Sequence, residues 1–128
     1  EPDGVDGFYM DMSGMRAIRG HVQNTGLSII QRIQARTSIS GMVGISVNKL
    51  VSRIVTSVVP EMIHEVQGGN EAQFLSLLKP LVLPTVKKKS VHRLLRFLCV
   101  EQVSHIQSMA GQANEFRTIF GLYAIQLS

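Results

Sequence analysis

The residues of this chain best suited to metal or nucleophilic chemistry are its four histidines, its one cysteine and its carboxylates. Their spacing fits none of those chemistries. His64-Glu65 opens an H-E-x-x-H pattern, but Gly68 stands where the second metal-binding imidazole is required. His21, His64, His92 and His105 are scattered singly along the predicted helices, with no cysteine pair to complete a site, so no metal is expected. Cys99 would be the nucleophile, yet His92 lies two helical turns away, a rise of about 10 Å that rules out a direct base-to-thiol hydrogen bond. Glu61 and Glu65 share a helical face without a visible pocket to tune them. Gly41, Gly44 and Ser46 lack the Gly-Lys-Ser/Thr of a phosphate loop and read as small residues that let two helices approach. No catalytic, cofactor-binding or metal residue is assigned, and the expectation is a protein without enzymatic activity or cofactor.

Charge is more informative than catalytic chemistry. The formal net charge is +4. Glu1, Asp3, Asp6 and Asp11 make the N-terminal segment acidic, whereas Arg16, Arg19, Arg32, Arg36, Lys49 and Arg53 occupy a stretch with no acid. A second acid-free block runs from Lys79 to Arg96 and supplies a candidate basic surface of Lys87, Lys88, Lys89, Arg93 and Arg96. Such segregation suits an acidic partner surface. The plainer alternative is that these cations solubilise an aliphatic domain and draw the acidic arm back onto it. Single-stranded nucleic acid calls for aromatic platforms among the cations, and Phe97 is nearly alone in that respect, which counts against nucleic acid as a partner.

The elements that would position these groups read as helices. From Val43 to Val66, Val43, Val47, Leu50, Val51, Ile54, Val55, Val58, Val59, Met62, Ile63 and Val66 recur three or four residues apart and sweep an arc of roughly 220°. That predicts a central helix covered on several sides and kinked at Pro60, whose ring removes one backbone donor. Ser13 is expected to cap a first helix with Met15, Ile18, Val22, Ile29 and Ile33 on one face, weakened by Gly20 and Gly26 or divided into two pieces there. A third helix opens at Asn70 and carries Phe74 to Leu78. A fourth is capped by Ser90 with Val91, Leu94, Leu95, Leu98, Ile106 and Met109 inward and Phe97 and Val100 opposite. A last one follows Asn114. The expected architecture is all-α: a flexible acidic arm over residues 1–12, then a single-domain bundle of about five helices over residues 13–128.

Composition completes the expectation. With 128 residues, 45% hydrophobic, 17% charged, six Met and no Trp, the chain holds more aliphatic surface than one small bundle hides. The start at Glu1 without an initiator Met suggests a processed, secreted protein, and no apolar run is long enough to span a membrane. The function favoured by these features is a secreted helical module acting through self-assembly as a homodimer or through a protein partner, with Phe97, Val100 and Cys99 as its association surface. The alternative is a carrier or membrane-surface binder of a lipid or other small apolar ligand, held by Met62, Leu98, Met109 and Phe120.

Overall fold

The computed structural model describes residues 1–110. They form two compact units that divide after Gly68. The helix expected after Asn114, and Phe120 with it, lies outside the described residues.

In the first unit, β1 (Pro2–Asp3) and β2 (Gly7–Phe8) pair antiparallel as a small hairpin, with Pro2 opposite Phe8 and Asp3 opposite Gly7. Gly4 makes the turn at φ +74°, a left-handed conformation that glycine adopts without steric cost. Helix α1 (Arg16–Arg19) stops at Gly20, φ +69°, and α2 (Val22–Thr37) begins afresh, so the glycine divides the expected first helix. Next come β3 (Val43–Ile45), α3 (Lys49–Val58) and β4 (Ile63–Glu65), with β3 and β4 pairing parallel in the register Val43–Ile63, Gly44–His64 and Ile45–Glu65.

The all-α expectation is therefore corrected: the fold is mixed α/β. Six α-helices and two small sheets are present among the described residues, and the centre of the first unit is a β-α-β element. The long kinked helix does not form. Its middle third is α3, started by Asn48, whose side-chain oxygen accepts the Val51 N–H at 2.8 Å. Pro60 ends the helix instead of bending it. The residue before a proline is pushed toward extended backbone, and Val59 sits at φ −96°, ψ 126°. Beyond it the chain enters β4.

Two glycines let the helices reach the sheet. A Cβ on Gly44 would collide with the Ser52 carbonyl oxygen, so only glycine lets β3 lie this close to the α3 backbone. On α2, a Cβ at Gly26 would stand 3.2 Å from a Val43 methyl. Ile30, Val51, Ile54, Val55 and Val66 form the buried core of this unit.

The second unit, described from Gly69, holds α4 (Glu71–Ser76), two 3-10 turns at Pro80–Val82 and Pro84–Lys87, α5 (Lys89–Phe97) and α6 (Val103–Ala110). Leu83, Val86, Val91, Leu95, Val103 and Ile106 are its buried side chains. The Val103 N–H donates to the Leu78 carbonyl at 2.9 Å, and the Gln107 amide to the Ala72 carbonyl at 3.1 Å, tying α6 to α4. Helix α5 ends in a Schellman turn: Cys99 N–H bonds the Arg96 carbonyl at 3.1 Å and Val100 N–H the Leu95 carbonyl at 2.9 Å. Cys99 occupies the left-handed position of that turn at φ 55°, where glycine is the usual residue.

Candidate nucleic-acid interface

Each unit carries a basic helix, and the two helices meet different surroundings. On α3, Lys49 and Arg53 lie one turn apart on the same face. The hairpin delivers carboxylates to both: Glu1 pairs with Lys49, and Asp3 Oδ1 lies 3.4 Å from Arg53 Nη1. The Lys49 ammonium also sits 5.6 Å from the centre of the Tyr9 ring, within cation–π range. The Lys49 hydrogen bond and charge hold the Glu1 carboxyl below its ordinary range. Burial, and then the hydrogen bond to Asp3, push the Tyr9 phenol up. Hydrogen bonds from Ser13 lower Asp11. The acidic segment thus begins as a hairpin, and two of its acids, Glu1 and Asp3, answer the cations of α3.

On α5 the cations face outward. Lys89, Arg93 and Arg96 recur at intervals of four and three, which puts them on one face, with His92 beside them and Phe97 at the C-terminal end. Val91 and Leu95 point the other way and are buried, fixing the helix so that its basic face is exposed. Lys87 and Lys88 lead into the helix and are exposed as well. Lysines at a helix N-terminus add to the positive end of its dipole, a stability cost that is offset when an anion sits there. Lys89, His92, Arg93, Arg96 and Phe97 line a cleft of about 490 Å³. A neighbouring cleft of about 520 Å³ is lined by Leu77, Lys79, Leu81, Leu95, Arg96 and Val100 among others.

The remaining candidates are spread out. Phe97 is 83% exposed, Cys99 is exposed at its helix-ending turn, and Val100 is half-buried. Met62 belongs to the first unit and is exposed; Leu98 and Met109, both half-buried, belong to the second. His64 stands in β4, not on a helix. The charge pattern offers, as its plainer alternative, an acidic arm drawn back onto the cations; the structure adds that the arm begins as a hairpin and that Lys49 and Arg53 are the partners of Glu1 and Asp3.

The model of the impB/mucB/samB family (IMS) matches residues 1–57, the hairpin through nearly the end of α3. Among individual relatives, DNA polymerase IV of Dehalococcoides mccartyi strain 195 is 35% identical over 95 residues, 73% of this chain and 24% of that protein. DNA polymerase IV of strain BAV1 is 30% identical over 129 residues, covering 100% of this chain and 32% of its own length, and that of strain CBDB1 matches to the same extent. The chain spans about a quarter to a third of the length of these relatives. No solved structure matches it.

These similarities correct several expectations. The chain resembles polymerases, so the secreted, non-enzymatic association module and its lipid-carrier alternative are withdrawn, together with the homodimer, the secreted location and the exclusion of nucleic acid. Scarcity of aromatics was the wrong ground for that exclusion, because phosphate contacts need only cations.

Polymerase chemistry also implies divalent ions, held by carboxylates and substrate phosphates. The described acids do not fit that task. No three of His, Cys, Asp and Glu converge among the described residues. Glu1 and Asp3 are engaged by Lys49 and Arg53, and Asp11 accepts from Ser13.

Proposed function

We propose that this chain acts in DNA synthesis within a DNA polymerase IV-like protein, and that its described contribution is to hold DNA by the sugar–phosphate backbone through α5. The observation that carries this reading is the outward cationic face of Lys87, Lys88, Lys89, Arg93 and Arg96, in a chain that aligns along its whole length with polymerases. Lysines act as compact point charges with three donors, while an arginine fork grips a phosphate through two parallel bonds. A nine-residue helix is about 13 Å long, the rise of about four base pairs, so α5 spans several phosphates of one strand. Contacts of this kind position a duplex without reading its sequence.

The test is fluorescence anisotropy of this chain with a labelled primed template over a salt series. Each phosphate neutralised adds about −0.9 to the slope of log affinity against log salt. Replacing Lys87, Lys88 and Lys89 together with Gln should weaken binding and flatten that slope by roughly 2 to 3. An unchanged slope, or no salt-dependent binding by the unaltered chain, would overturn the assignment.

A further inference from the structure

Phe97 is the least expected surface residue on the basic face. It is 83% exposed, in a chain with only five Phe, and it ends α5 beside the side chains that make that face cationic. A large exposed aromatic alone is common on protein surfaces. What sets this one apart is its company: with Lys89, His92, Arg93 and Arg96 it lines one open depression along the outward face of α5. The depression offers cations and one aromatic ring, and the Val91–Leu95 stripe that anchors the helix is turned away from it.

A phosphate fits the cations and leaves the ring unused. An apolar molecule fits the ring but strips water from the cations without recompense. A nucleotide uses both, with its base stacked on the ring and its phosphates against Arg93, Arg96 and Lys89. A base inside a duplex already has both faces covered by its neighbours. The ring is therefore available only to a base with a free face, in a single strand or at a strand end.

We infer that the Phe97 end of α5 is a stacking platform for an unpaired nucleotide, with Arg93, Arg96 and Lys89 holding the adjoining phosphates. The inference rests on the proposed DNA-holding role of α5 and adds to it a preference for unpaired strand at this end of the helix. Phenylalanine has no hydrogen-bonding group, so the platform accepts any base and favours those that stack most strongly. The Schellman turn that ends α5 holds Phe97 at the helix terminus, while the burial of Val91 and Leu95 fixes the helix's rotation.

The experiment compares binding to the 128-residue chain of a short single-stranded oligonucleotide and of a covalently closed circular duplex, which offers no free base face, at equal nucleotide concentration. Phe97→Ala should weaken single-strand binding by about tenfold and leave duplex binding within twofold, the scale expected for loss of one base–aromatic stack. Phe97→Trp should retain single-strand binding. Because the chain has no Trp, the introduced indole is the sole tryptophan signal, and single-strand binding should quench it. Circular dichroism confirms that both variants fold, as an exposed position allows.

Equal loss of single-strand and duplex binding on Phe97→Ala overturns the platform, as does unchanged single-strand binding. An indole signal insensitive to single strand has the same consequence. If the unaltered chain binds neither DNA, the DNA-holding role itself falls, and the platform with it. If it binds both through salt-sensitive contacts that ignore Phe97, only the platform falls.

Discussion

Helices α3 and α5 are built alike and end up doing different work. Each buries an aliphatic stripe, Val51, Ile54 and Val55 in one and Val91 and Leu95 in the other, and each carries lysine and arginine on its opposite side. Around α3 the hairpin supplies Glu1, Asp3 and Tyr9, and the cations are taken up within the unit. Around α5 the sequence has no acid from Ala72 to Val100, and no carboxylate pairs with Lys89, Arg93 or Arg96 among the described residues. A basic stretch is therefore not in itself a binding surface. The distribution of acids that the fold brings alongside decides whether the charge is spent internally or presented outward.

The largest effect is expected in the α3 core. Ile54→Asp places a carboxylate on a side chain that is almost wholly buried, in a unit whose buried residues include no polar group. An unpaired buried charge costs several kcal/mol, comparable with the whole stability of a small domain. The helical circular dichroism of the first unit should be lost at room temperature. An unchanged melting curve would show that α3 is held by its charges and not by its stripe.

Gly44→Ala comes next. The added methyl meets the Ser52 carbonyl oxygen, which is backbone and cannot rotate away, so β3 must draw back from α3. A loss of roughly 2 to 4 kcal/mol in denaturant unfolding is expected, the range of overpacked cores or somewhat above it. The same substitution at Gly69 has nothing to strike, but it sits at φ +93° and is strained for that reason alone.

These two positions also show what could be read without coordinates. The aliphatic stripe marks α3 correctly, and Asn48 starts it. The stripe then misleads at both ends, because Val43 and Val47 on one side and Met62, Ile63 and Val66 on the other happen to continue a three-to-four spacing. Strands of three residues are too short to show alternation. The signals that distinguish the alternatives were local: Pro60 biases Val59 to extended backbone, and Gly44 is needed for strand-to-helix contact. At the candidate interface, Arg93, Arg96 and Phe97 could be assigned to one helix from their spacing, with the lysines leading into it. Which cations the acidic segment meets could not, since Glu1 and Asp3 lie 48 and 50 residues from Lys49 and Arg53 and come together with them only through the fold.

A smaller effect separates the two basic helices directly. Lys49→Gln with Arg53→Gln should leave the salt slope of DNA binding within about 0.5 of the unaltered chain, less than the loss of a single phosphate contact. The hairpin should respond instead. Glu1 is lowered by its partner, so its contribution is present above the ordinary carboxylate range and is lost as pH falls through its lowered value. Tyr9 is raised, so its contribution is present below the ordinary tyrosine value of about 10 and is lost as pH rises through its own. Asp3→Asn removes the second-ranked cause of the Tyr9 shift, and ultraviolet titration should show the phenol ionising at lower pH. A DNA slope that falls by 2 in the Lys49 and Arg53 double variant would mean that the pairs open to bind phosphate, and the contrast between the helices would fail.

The smallest expected effect concerns the ends of two helices. Both α2 and α5 end in a non-glycine residue with positive φ, Ser38 at 58° and Cys99 at 55°. A left-handed conformation costs an L-residue roughly 1 to 2 kcal/mol relative to glycine. Introducing glycine returns about 0.4 to 1 kcal/mol of that through the greater freedom of the unfolded chain. Cys99→Gly should therefore stabilise the second unit by about 0.5 to 1 kcal/mol, read as a higher denaturant midpoint with an unchanged slope. The two backbone hydrogen bonds of the turn, Cys99 N–H to the Arg96 carbonyl and Val100 N–H to the Leu95 carbonyl, need no side chain and would remain. Cys99→Val should act the other way, because a β-branched side chain tolerates positive φ poorly. If glycine instead destabilises the unit, the thiol makes a stabilising contact that outweighs its backbone strain, and Cys99 is more than the terminator of α5.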